Sequence, residues 1–213
     1  MINSIADTNM IQTRVRQFTR VMLVISIFPT TYVAALEQPE FELVDEIGEL
    51  QIRCYQPVIV ARTLVGGSFD EVGNQGFKRL AGYIFGGNES DQKIAMTAPV
   101  GLTPEGDADE RYWITFSMPS EHSVEELPTP NDARVEITEE SERFVAVVRY
   151  KGNWSQKRYR EHESRLLALV EQSRSWIRNG EVTWARYNPP FVPGFMRTNE
   201  VAVEVFPFGR GRE

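Results

Sequence analysis

The stretch VTWARYNPPFVPGFMRTNEVAVEVF, residues 182–206, holds two strand-like runs separated by a segment that no sheet can absorb. In the second run Val201, Val203 and Val205 alternate with Ala202 and Glu204, the period-two pattern of a strand with one buried face. Between the runs stand Pro189, Pro190, Pro193 and Gly194, which end sheet pairing. The same segment carries Phe191, Val192, Phe195 and Met196. Surface loops are usually polar, so a stiff apolar one either packs on a core or lines a pocket.

Working outward, the strand–break–strand pattern has an earlier counterpart. KIAMTAPVGLTP (93–104) and RYWITFSMPS (111–120) read as two strands. Ile94, Met96, Ala98 and Val100 are expected on one face, Ala95 and Thr97 on the other. Each pair follows a helical pattern, residues 68–85 in the first case and 153–173 in the second. Each helix follows two extended runs: FELVDEIGELQIRCYQP with VIVARTLVGG, and ARVEITEE with ERFVAVVRYKG. Ala95-x-x-x-Pro99 is matched by Ala185-x-x-x-Pro189. One element order repeated predicts a duplication with halves at about 40–120 and 133–206. The fold expected is α+β: duplicated units forming a twisted antiparallel sheet or distorted barrel flanked by two helices.

Local signals mark the helices. Ser68 with Glu71 has capping-box spacing, and Phe69, Val72, Phe77, Leu80 and Ile84 recur at helical period. Gly73 and Gly76 weaken that helix and admit close approach of a sheet or ligand. GGN at 86–88 is a helix stop. In the second helix, capped by Asn153, Tyr159, His162, Leu166, Leu169 and Val170 share a face. PSEHSVEELPTPND (119–132) reads as a surface linker, with His122 solvated.

Composition excludes several function classes. The 213 residues carry a formal net charge of −7 with no basic stripe, which argues against nucleic acid as a partner. A single cysteine, Cys54, rules out an internal disulfide framework, and two histidines leave little for a His-based metal site. At the N-terminus, Arg14, Arg16 and Arg20 precede the apolar run VMLVISIF (21–28), and small residues follow at Val33 and Ala35. This reads as a signal peptide over residues 1–35 ahead of a single domain at 36–213, in a periplasmic or secreted protein. The alternative is membrane anchoring by residues 21–36. Once the signal is cleaved, no stable membrane span is expected.

Three motifs resemble one family. LQIRCYQP (50–57), GFKRLAGYIFGGN with KIAMTAPV (76–88 and 93–100), and YNPPFVPGFMRTNEVAV (187–203) are similar, in order, to the SOUL haem-binding proteins. The resemblance covers about residues 40–206. It implies reversible, non-catalytic binding of haem or another tetrapyrrole in an apolar pocket between the first helix and the last strand–strand loop. On that reading Phe77, Met96, Phe191, Val192 and Phe195 form the wall. Lys78, Arg79 and Arg197 are candidate partners for propionates. Some members carry a histidine where this chain has Cys54, which makes Cys54 the candidate axial ligand, with His162, Met96 and Met196 as further donors. No resident metal site is expected.

The residues leave other readings open. One is an amphipathic or cationic ligand, as in effector-binding domains of the same fold, with Glu200 and Glu204 as acceptors. Another is a small-molecule hydrolase using Glu200 as base. A third is a protein-interaction module using the greasy loop.

Overall fold

Period-two alternation becomes sheet almost throughout. A computed structural model describes residues 36–106 and 110–209; residues 1–35, read above as a signal peptide, lie outside them. Residues 35–213 cluster as one unit. The elements run β1 (Phe41–Ile47), β2 (Leu50–Tyr55), β3 (Val58–Gly66), α1 (Phe69–Ile84), β4 (Val100–Pro104), β5 (Arg111–Ser117), β6 (Glu136–Glu140), β7 (Arg143–Lys151), α2 (Gln156–Ser173), β8 (Trp176–Arg186) and β9 (Thr198–Pro207). All nine strands join one sheet in the order β1-β2-β7-β9-β8-β4-β5-β3-β6. The paired strands are antiparallel, and the sheet does not close into a barrel.

This order shows the duplication in an unexpected form. β4 pairs with β8 at the centre, through Val100 with Arg186 and Leu102 with Trp184. On either side, β5 and β3 mirror β9 and β7. The outer partners are exchanged: β2 of the first half pairs with β7, and β6 of the second half pairs with β3.

Both helices lie against one face of the sheet. α1 packs on β3 and β5, and α2 on β7, β8 and β9. Buried Val72, Leu80 and Ile84 of α1, and Tyr159, Leu166 and Val170 of α2, meet a floor that includes Leu50, Ile52, Ile114, Val148, Val201 and Val203. Each fully buried aliphatic or aromatic side chain of this kind contributes about 1.5–3 kcal/mol. The two helices converge over Trp184 of β8. Its indole stacks on Tyr159 of α2 at 5.2 Å and takes the edge of Phe69 of α1 at 5.6 Å. Gly76 lets α1 sink onto β5, since a Cβ there would stand 2.2 Å from Ile114.

Local expectations change at several points. Residues 93–99 precede β4 outside the sheet, with isolated bridges only at Lys93 and Thr97. Thr97 is buried rather than outward, because its hydroxyl donates to Ser117 O at 2.6 Å. Ala95 therefore has no strand equivalence with Ala185, which lies within β8. Ser68 donates to the Glu71 carboxylate instead of sharing backbone amides with it, and Ser155, not Asn153, caps α2 by accepting from Arg158 N. The linker is pinned: Leu127 is buried and Pro128 O accepts from the Tyr83 hydroxyl at 3.0 Å. The stop at 86–88 works through Asn88, whose buried amide donates to Tyr83 O and Gln92 O.

Candidate ligand site

The break between β8 and β9 is braced by its own chain. Arg197 donates to Val192 O and Pro190 O, and Asn188 Oδ1 accepts from Thr198 N. Pro193–Arg197 closes a short turn through Met196 N to Pro193 O. Gly194 is required where the loop meets the start of α2, because a Cβ there would fall 1.3 Å from Asn153 Oδ1. With its polar groups turned inward, the loop holds Phe191 at 85%, Phe195 at 78% and Met196 at 53% exposure. Val192 is half-buried.

Below the loop lies a stack. The Arg197 guanidinium sits 4.1 Å from the ring of Trp154, and the Arg186 guanidinium 4.9 Å from the same ring. Arg186 also reaches over Phe69 at 5.4 Å, and its Nη1 is 2.9 Å from where a Cβ of Gly73 would stand. Thus α1, the start of α2 and the loop are linked through Arg186, Trp154 and Arg197. Phe77 lies one turn beyond Gly73 on α1, partly exposed, with its ring against Phe116 at 5.4 Å. Met96 is half-buried against the core, and Lys78 is exposed. Arg79 is committed elsewhere: it donates to Thr63 Oγ1 and Leu64 O and lies 3.8 Å from Asp132.

The structure does not bring Cys54 to this place. Cys54 pairs with Phe144 at one end of β7, whereas the loop meets Lys151 at the other. Seven residues of strand separate them, about 24 Å. Burial, with Glu142 and Glu42 nearby, also pushes the thiol pKa up and disfavours the thiolate that would bind iron. Cys54 is therefore withdrawn as axial ligand to a group held by the loop. His162 stacks on Tyr150 at 3.6 Å, and burial lowers its pKa. His122 is not solvated as expected; its side chain is 17% exposed, 3.8 Å from Glu121. Among the described residues no cluster of His, Cys, Asp and Glu could hold a metal ion.

Opposite the helices the sheet forms a groove of about 380 Å³, lined by Phe41, Tyr55, Trp113, Tyr187, Glu200 and Glu204 among others. Glu200 is 2% exposed and fully engaged. It accepts from Arg53 at 3.0 Å, Arg149 at 2.7 Å and the Tyr187 hydroxyl at 2.6 Å. Burial alone would raise its pKa, but the bonds and charge of Arg53, then Tyr187 and Arg149, hold it below the ordinary value. A carboxylate so occupied is a poor proton acceptor. Glu204 differs: among the described residues it accepts only from Asn179 Nδ2, at 3.0 Å.

Comparison with known proteins adds the lineage. The SOUL heme-binding protein model matches residues 36–204. The chain belongs to the SOUL family. This SOUL protein is 31% identical over 167 residues to mouse heme-binding protein 2, covering 74% of this chain and 80% of that one. Against human heme-binding protein 2 it is 30% identical over 176 residues, covering 78% and 85%. The EcmrR C-terminal domain shares the fold at TM-score 0.55 and 10% identity, over 74% of this chain and 96% of that one. A Listeria innocua protein described as a hydrolase does so at 0.53 and 10%, over 82% and 95%. At such identities only the fold is shared.

Sequence reasoning singled out the loop and Arg197 and did not single out Trp154 or Arg186, which the structure sets beside them. A signal was present. NWSQKR and WARYN each pair tryptophan with arginine and contain no acidic residue.

Proposed function

We propose that this SOUL protein binds haem or a related tetrapyrrole reversibly, without chemistry, against the β8–β9 loop and the neighbouring face of α1. The observation that carries the reading is the braced loop, which keeps two phenylalanines and a methionine in solvent. Exposed apolar groups fixed this rigidly cost little further ordering entropy when a flat ring lies on them. The stacked guanidiniums beside them suit the carboxylates of such a ring, and the conjugated macrocycle would supply the absorbance by which binding is read. With Cys54 remote, binding rests on apolar contact and charge. Losing ~400 Å² of apolar area is worth ~10 kcal/mol; after at least ~4 kcal/mol of lost freedom, what remains corresponds to a Kd of about tens of micromolar. The test is a haem titration followed at the Soret band, with Phe191→Ala/Phe195→Ala beside it. Saturation weakened by the double substitution supports the reading. A spectrum unchanged at 100-fold the expected Kd defeats it.

A second reading is favoured by Glu204. It faces the aromatic groove with no cationic partner among the described residues, so an amphipathic cation there would gain a carboxylate and ring faces together. A thermal-shift comparison of haem with a lipophilic cation, in native protein and Glu204→Gln, separates the two readings.

A further inference from the structure

The far end of α2 borders a second pocket. Leu167 and Val170 of α2, Trp176 and Ile177 of β8, and Phe208 after β9 line about 660 Å³. That exceeds the groove of about 380 Å³ and suits a small-molecule site. The length of α2, about 27 Å, separates this pocket from Trp154 and the β8–β9 loop. Its walls are anchored. The Trp176 ring rests against Phe144 at 5.3 Å, and Phe208 N donates to Ser175 O at 2.7 Å. Even so, Phe208 is 72% and Ile177 49% exposed, apolar surface that water solvates poorly. The charged residues lining the pocket are Glu171, Arg174 and Arg178. Arg178 is engaged by Gly180 O and Glu181. Glu171 and Arg174 stand three residues apart at the end of α2, yet neither side chain has an ion pair or hydrogen bond among the described residues. Arg174 also adopts φ 53, a left-handed cap that suits glycine. The chain thus carries a guanidinium at the pocket mouth against its backbone's preference. The helix C-terminus beside Glu171 favours a positive group. The mouth therefore offers one place for a cation and, at Arg174, one for an anion.

We propose that this pocket binds a single-chain zwitterionic lipid of the lysophosphatidylcholine class. The acyl chain lies among Leu167, Val170, Trp176 and Phe208. The phosphate meets the Arg174 guanidinium, and the quaternary ammonium meets Glu171 and the face of Trp176. A fatty acid would set its one charge against Glu171 and the helix end, and an alkylammonium would set its own against Arg174. A head with both charges satisfies both residues. A bilayer would need these apolar side chains to project together, whereas here they line a recess. The site is independent of the proposed tetrapyrrole site, which lies at the other end of α2.

The experiment titrates the full chain with dodecylphosphocholine, dodecyl sulfate and dodecyltrimethylammonium, each kept below its micelle concentration. Binding is read at the Trp176 indole N–H in ¹H–¹⁵N spectra assigned with Trp176→Phe. Dodecylphosphocholine should shift that signal saturably and bind at least about fivefold tighter than either singly charged probe, a share of one charge-assisted contact. Decylphosphocholine, two methylenes shorter, should bind about tenfold more weakly. Arg174→Gly should keep or raise Tm, because glycine suits the left-handed cap, while weakening dodecylphosphocholine at least about fivefold; Arg174→Gln repeats the test with the side-chain bulk retained. Arg174→Gly should turn head preference towards dodecyltrimethylammonium, and Glu171→Gln should turn it towards dodecyl sulfate. The Phe191→Ala/Phe195→Ala variant should show the same Trp176 shift as native protein. Absence of a Trp176 shift with dodecylphosphocholine overturns the site. Equal affinity for all three heads, unmoved by the substitutions, overturns it too, as an apolar patch without head recognition. Sedimentation with phosphatidylcholine vesicles in the absence of a shift by the monomeric probe assigns the face to a bilayer and also overturns it.

Discussion

Replacing Glu200 by glutamine tests whether the groove floor is a cooperative charge network. Glu200 and Arg53 are both 2% exposed, and the carboxylate accepts from Arg53 Nη1 and Nη2, Arg149 Nε and Tyr187 Oη. Glutamine keeps the shape but brings an NH₂ against a guanidinium and leaves the buried Arg53 charge without its counter-ion. Stranding one member of a buried pair costs about 3–5 kcal/mol. Arg149 is half exposed and adds little to that sum. At roughly 2–4 °C per kcal/mol for a domain of this size, Tm should fall by about 6–20 °C. Urea unfolding at pH 7, where the linear extrapolation gives the free-energy difference, is the assay. Arg53→Met/Glu200→Leu should recover most of the loss, because an apolar pair leaves no charge behind. The native network also has a pH signature. The Glu200 pKa is lowered on folding, so its contribution is complete above the unfolded value of about 4.5 and disappears as pH falls through the folded one. Between pH 5 and 3 native protein should therefore lose more stability than Glu200→Gln. A change below 1 kcal/mol at pH 7, with no difference in acid sensitivity, would refute the network.

Other consequences follow from single contacts. Trp184→Ala removes the indole on which Phe69 and Tyr159 meet and should cost about 3–5 kcal/mol in urea unfolding. Gly194→Ala drives a methyl into Asn153 and should destabilise by about 1–3 kcal/mol, with Asn153→Ala in the same chain restoring part of it. Phe191→Ala/Phe195→Ala touches only exposed rings, so Tm should stay within the about 0.5 kcal/mol usual for surface changes while haem affinity drops. Cys54→Ala should leave the haem spectrum unaltered; a shifted Soret band would return the thiol to the site.

The α+β class, the repeat and both helices were legible because burial on one face imposes periods of two and 3.6 on the chain. The strand exchange was not legible. Pairing partners are chosen between elements far apart in sequence, and β2 reads alike whether it lies beside β3 or β7. Residues 93–99 were mistaken for strand because Ile94 and Ala98 alternate correctly, while buried Thr97 is satisfied by one carbonyl outside any ladder. At the site the loop was visible through its prolines, as was Arg197. Arg186 was hidden, since a strand-end arginine looks like ordinary surface charge until Gly73 and Trp154 are seen on either side of it. Cys54 was misplaced because motif order says nothing of distance along β7.

Because β2 and β6 each complete the other half's layer, neither half owns all the strands it needs. A backbone cut between β5 and β6 should yield two fragments that are insoluble alone and combine when co-expressed, each lending the other its outer strand. The same crossing is what two identical ancestral chains would have made by embracing as a swapped pair. Gene fusion would then have joined an existing assembly rather than placed one finished domain beside another.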